Sequence, residues 1–143
     1  MSPLSPDWPA QHPAEFQAVL HEVLTRRYPD AQASALTQAR LRLGFSFRDP
    51  DLEVLLDGQS PRSPEEAPAV SFGDAARRGP APDLRFSMSG PTAHRFWSGE
   101  LNVVAAMASG QLRLEGSLVR ALTLAPMLPL LQQSYRAACA RLG

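Results

Sequence analysis

Three histidines, one cysteine and scattered serines and acids are the residues able to do covalent or acid–base chemistry, and none stands in a working arrangement. His21-Glu22 opens like a zinc-protease helix, but the position four residues on is Thr25, so the pair of imidazoles that would grip a metal is missing. His21 therefore reads as an exposed helix residue, and His94, beside Phe96 and Trp97, as a packed or surface histidine. Ser89-Gly90 lacks the G-x-S-x-G turn that lifts a serine nucleophile above a sheet. Cys139 sits among alanines, which favours an inert packed thiol over a stabilised thiolate. Asp49 and Asp51 flank Pro50, and turn chemistry accounts for them better than paired carboxylates. There is no phosphate loop, no G-x-G-x-x-G and no paired Cys/His spacing for zinc. The expectation is a non-enzyme with no catalytic residue, no metal and no cofactor.

What the chain carries instead is apolar. Phe96, Trp97, Leu101, Val104, Met107, Leu118, Leu122, Met127, Leu128 and Leu131 come from helices that should cover one sheet face, above a strand bearing Phe86 and Met88. Such side chains either fill a core, the plainer reading for any one of them, or line a void; several short helices with adaptable Met residues over one sheet are a place where pockets form. Each buried methylene contributes about 0.8 kcal/mol, so ~12 of them give roughly 10 kcal/mol gross. Association costs of at least ~4 kcal/mol leave binding in the micromolar region. Arg95, Arg120 and Arg136 are the candidates to meet a carboxylate or phosphate head group at the rim.

The elements that must position these residues follow from their periods. Residues 1–12, with three prolines, read as a loose tail. Phe16, Val19, Leu20, Val23 and Leu24 repeat at helical spacing after Pro13, and Tyr28-Pro29 stops that helix. Asp30 is placed to cap a short turn through Leu36. The period then changes to two: Leu41, Leu43, Phe45 and Phe47 alternate with Arg40, Arg42, Ser46 and Arg48. After Asp49-Pro50-Asp51, Leu52, Val54 and Leu56 alternate again, with Leu55 on the other face. A Pro- and Ser-rich loop, a third strand over 69–72 and a second loop over 73–82 lead to a strand bearing Leu84, Phe86 and Met88. Helices follow over 92–99 and from the Asn102 cap to Gly110, then a strand holding Leu112 and Leu114. A helical segment broken by Pro126 and Pro129 ends the chain with Leu131, Tyr135, Ala138 and Leu142 in register.

Composition narrows the function. The 143 residues fit one domain, taken as 13–143, and 44% hydrophobic with 20% charged is globular. Fourteen basic and fourteen acidic residues cancel; every basic one is arginine. With only Arg26-Arg27 and Arg77-Arg78 adjacent, there is no basic footprint for nucleic acid. One cysteine cannot make an internal disulfide. Met1 to Ala10 has no signal-like apolar run, and no stretch approaches the roughly 20 apolar residues of a membrane span, so the expected place is the cytoplasm. The oligomeric state is open, a homodimer being one option.

The order helix, three strands, crossover, strand, helices, strand, terminal helix resembles the sterol carrier protein type-two family. The most similar stretch is residues 83–125: D-L-R-F-S-M-S-G, then F-W-S-G-E-L-N-V-V-A-A-M-A-S-G-Q-L-R-L-E-G-S-L. Its signature is a hydrophobic helix ending Ser-Gly, a strand of form x-L-x-L-x-G and a new helix, with Gly99 matching the family's usual glycine. Two departures are present: the family's segment is Lys-rich where Arg113 alone is basic here, and Pro126 and Pro129 bend the terminal helix. The resemblance implies an α+β fold, a mixed five-stranded sheet with helices covering one face in the order α-β-β-β-crossover-β-α-α-β-α. It also implies an apolar tunnel between sheet and helices for a fatty acyl chain, acyl-CoA or sterol-like ligand, without catalysis. The alternative is a structural or interaction domain of the same fold with the tunnel filled by Phe96, Trp97 and the methionines.

Overall fold

A computed structural model describes residues 4–26, 36, 39–63 and 66–142. The expected Tyr28-Pro29 stop and Asp30 cap fall outside these. Five strands make one mixed sheet in the order β3-β2-β1-β4-β5: β1 Arg42–Arg48, β2 Leu52–Asp57, β3 Ala69–Phe72, β4 Leu84–Ser89 and β5 Leu112–Glu115. The β1–β4 pair is parallel and the other three are antiparallel.

Alternation sorts the side chains into two faces, and the register stacks the apolar ones in rows across the strands. Leu84, Leu43, Leu56 and Val70 form one row; Leu114, Phe86, Phe45, Val54 and Phe72 the middle one; Leu112, Met88, Phe47 and Leu52 the third. The reverse face is polar and pairs across strands. Arg42 Nε meets Asp57 Oδ1 at 3.2 Å, and Ser46 Oγ donates to Glu53 Oε1 at 2.8 Å.

The apolar face is roofed by α2 (Pro13–Thr25), α4 (Gly90–Trp97) and α7 (Leu128–Leu142). All five residues of the α2 stripe, Phe16 to Leu24, are buried, and α7 buries Leu131, Tyr135, Ala138 and Cys139. Two short helices flank the edge strand β5: α5 (Val103–Ser109) before it and α6 (Leu118–Leu122) after. Asn102 caps α5 and Gly110, at φ 83°, ends it, as its sequence implies.

Two expectations are corrected. The loose tail reading fails over α1 (Trp8–Gln11), where Trp8 and Pro9 are buried. The Trp8 indole packs edge-on against Phe16 and His94 and donates to Glu15 Oε2 at 3.3 Å. The loop expected over 73–82 contains α3 (Asp74–Arg78), which packs on β2 and β3. Its partner is Leu55, the lone leucine of the polar face: the backbone at Gly79 comes close enough that a Cβ there would sit 2.8 Å from Leu55 Cδ2. One large apolar side chain facing outward needed cover, and the crossover supplies it.

Candidate functional site

The inner wall is built by α4. Ser89 Oγ caps the helix by accepting from Thr92 N at 3.3 Å. Gly90 lets the first turn sit against the Asp49 carbonyl, where a Cβ would collide. The far end is held by α7, since the carbonyls left open at a helix C-terminus need donors. Gln132 Nε2 donates to Phe96 O at 2.9 Å and Arg136 Nη1 to Ser98 O at 3.0 Å. This fixes Phe96 and Trp97. The Trp97 ring lies 5.3 Å from Phe45, 5.1 Å from Phe96 and 6.4 Å from Tyr135, while Phe45 stacks on Phe86 at 5.6 Å.

Coverage of the sheet is uneven. On β4, Leu84 and Met88 are 0% exposed, and Leu112 on β5 is 1%, yet Phe86 and its partner Leu114 in the middle row are only partly buried. The helices around that end cover little: α5 buries only Ala106 and α6 buries nothing. Leu101, Val103, Met107, Ala121 and Leu128 likewise pack on the core while keeping some surface. With Val103 and Met107 of α5, which packs on β5, Phe86 and Leu114 make an apolar strip at the β4–β5 end of the sheet that solvent still reaches. A separate small hollow of about 40 Å³ lies among Leu24, Leu36, Leu56, Pro68, Met127 and Leu131, with Arg26 at its edge. It has room for a few waters at most, not a long acyl chain. A cleft of about 350 Å³ between α2 and α7 is broader, but no sheet residue lines it and Glu15, Glu22 and Arg141 rim it.

The expected lining residues divide into three groups. Met88, Phe96, Trp97, Met127 and Leu131 are buried; Phe86, Leu101 and Met107 border the strip. Val104 at 79%, Leu118 at 53% and Leu122 at 62% stand on the surface, with Val119 at 73% beside them. The three arginines do not converge on a rim. Arg136 is spent on the Ser98 carbonyl, Arg120 lies 3.9 Å from Asp83, and Arg95 is half-buried with Nε unpartnered among the described residues. Leu114 escaped the sequence reading; only its register opposite Phe86 brings it to the site.

A polar thread runs behind the wall. His94 Nε2 faces Leu4 O at 3.0 Å; a carbonyl only accepts, so that nitrogen carries the proton, and Nδ1 accepts from Tyr135 OH at 2.8 Å. Burial pushes the His94 pKa down, opposed by the Leu4 bond and the Glu100 charge. Burial drives the Tyr135 hydroxyl upward and the Cys139 thiol to about 11, so this cysteine is protonated and unreactive at neutral pH. Among the described residues no three His, Cys, Asp or Glu side chains gather to hold a metal, and no helix is long and apolar enough to cross a membrane.

With this geometry the chain has the fold of sterol carrier protein 2 domains. It is similar to sterol carrier protein 2 from Yarrowia lipolytica in its apo form (TM-score 0.57, 14% identity, 85% of this chain and 89% of that one). It is also similar to the sterol carrier protein domain 2 of Helicoverpa armigera (TM-score 0.57, 18% identity, 85% and 86%). A conserved hypothetical protein from Thermus thermophilus matches with TM-score 0.56 and 20% identity over 87% and 86% of the two chains. No protein-family model and no curated protein matches the sequence.

Proposed function

We propose that this protein binds an apolar, lipid-like molecule over the β4–β5 end of its sheet, without acting on it chemically. The observation that carries this reading is the partial exposure of Phe86, on the interior strand β4, and of its β5 partner Leu114, beside the sealed Leu84, Met88 and Leu112. Large apolar side chains left reachable between layers are costly to a monomer unless something covers them. Phe86, Leu101, Met107, Leu114 and Leu128 would form the contact surface, with Met127 and Leu131 lining the small hollow. α5 and α6 are the parts able to yield, because they contribute so little buried surface. The likeness to sterol carrier protein 2 domains supports the same reading. A fatty acyl chain, an acyl-CoA or a sterol-like molecule fits the chemistry of the surface.

Displacement of a fluorescent fatty acid, with native mass spectrometry of the purified protein, tests it. Binding in the micromolar range, weakened at least about tenfold by Phe86→Ser, is expected. No binding at tens of micromolar would favour the second reading, a structural or interaction domain whose aromatic layer of Phe45, Phe96, Trp97 and Tyr135 fills the tunnel.

A further inference from the structure

We infer that the guest molecule carries a hydrogen-bond-accepting oxygen, of the carbonyl, ester or carboxyl kind, at its buried end, and that the Trp97 indole N–H receives it. This rests on the binding reading above and adds the ligand's chemistry to it.

Trp97 is 1% exposed, and its Nε1 is buried with no acceptor among the described residues. An indole nitrogen can only donate, and a buried donor left without a partner is a net loss to the fold. The polar side chains packed around it are served. His94 and Tyr135 bond each other, Thr92 pairs with Ser89, and the other indole, Trp8, reaches Glu15. Among the described residues only Arg95 Nε shares the unpaired state of the Trp97 indole. The Trp97 ring packs against Phe45, Phe96 and Tyr135. Phe45 links the indole to Phe86 on the floor by two ring contacts, of 5.3 and 5.6 Å. Along α7, Tyr135, Leu131 and the partly buried Leu128 follow at helical spacing from the indole's neighbour. Leu101, four residues after Trp97, borders the strip directly.

The arginines expected at a rim do not gather to meet a charged end. Arg136 is engaged in capping α4 and Arg120 sits near Asp83. Arg95 Nε is unpartnered too, but two positions along a helix point to different sides, so it does not share a target with Trp97. An apolar body with one oxygen held inside fits this arrangement; a bare hydrocarbon leaves the indole unpaired. Sites that bond a substrate oxygen discriminate against analogues lacking it.

A matched pair of ligands tests this: 2-dodecanone against dodecane, competing with the apolar dye N-phenylnaphthylamine. The ketone is expected to bind about tenfold tighter or more, and Trp97→Phe to bring the ketone-to-alkane affinity ratio to about one. The unmodified protein supplies a second measurement that needs no variant. In a ¹H–¹⁵N spectrum the Trp97 indole proton should move downfield with dodecanone and not with dodecane, with Trp8, already bonded to Glu15, as the internal control. Equal affinity for the two ligands, or an indole signal that ignores the ketone because a water already occupies it, overturns the inference and leaves apolar binding intact. Failure of dye and both ligands to bind removes the binding reading itself.

Discussion

His94 is a buried imidazole whose two nitrogens are both engaged, by Leu4 O and Tyr135 OH, and this makes the N-terminal segment sensitive to acid. Desolvation lowers its folded-state pKa below the value of about 6.5 for a free imidazole. As pH falls, the unfolded chain takes up the proton first, so unfolding is favoured progressively. The stability held by the neutral ring is thus complete above about pH 6.5 and declines below it. The decline levels off once pH is under the folded-state pKa. Urea midpoints measured from about pH 7.5 to 5 should fall for the wild type. In His94→Gln the fall over that window should be smaller, from a lower start. An identical slope in both proteins would show that His94 is not the linked group. Truncations on β4 give a second residue-level contrast. Met88→Ala removes a fully buried side chain and should cost about 2–5 kcal/mol. Phe86→Ala should cost less than the ~3–5 kcal/mol usual for a core phenylalanine, because part of that ring is already in water. Denaturation of the two variants measures the order, and a larger loss for Phe86→Ala would mean that the strip is closed in solution.

Among the elements, α5 shows how a helix can be well specified and weakly held. Asn102 Oδ1 accepts from Ala105 N at 3.0 Å and Gly110 takes the left-handed conformation that ends the helix, yet only Ala106 is buried. Losing such a cap costs about 1 kcal/mol. Because little tertiary contact backs the helix, Asn102→Ala should act locally. Amide exchange over residues 103–109 should quicken several-fold while the global urea midpoint barely moves, whereas a full loss of about 1 kcal/mol in global stability would mean that α5 unfolds only with the core. The same element marks what the sequence made legible. Caps and period-two strands are local signals, so α5, α2 and all five strands were readable from side-chain order alone. α1 and α3 were missed because four or five residues carry no period; what holds them is Trp8 meeting Phe16 and His94, and Leu55 meeting the crossover. The site was legible only as a list of apolar residues. Which of them face the strip depends on the Phe86–Leu114 register and on how far α5 and α6 stand off the sheet, and neither is written in a local pattern. Val104, Leu118 and Leu122 illustrate the consequence: helical spacing marked them as inward, and the short helices that bear them leave them in water.

At the scale of the whole molecule the question is whether helices and sheet are separated by usable room. The hollow beside Leu131 holds about 40 Å³, and the strip is apolar surface that stays partly exposed. Leu101 stands at the boundary, partly buried, four residues past the Trp97 indole. Leu101→Trp adds an indole in place of an isobutyl group there. If the strip is room for a guest, the larger side chain occupies it at little cost, and the fluorescent fatty acid should bind at least about tenfold more weakly to a protein of nearly unchanged urea midpoint. If α5 and α6 instead pack down on the sheet, the same change overfills the interface and should cost about 1–3 kcal/mol. A control on the surface separates the two effects: Val119→Asp, at a position 73% exposed, should shift stability by no more than about 0.5 kcal/mol and leave fatty acid binding as it was. Weakened binding with intact stability for Leu101→Trp, beside a silent Val119→Asp, is the pair of results that makes the strip a binding site. Destabilisation by Leu101→Trp with binding retained makes it part of the core.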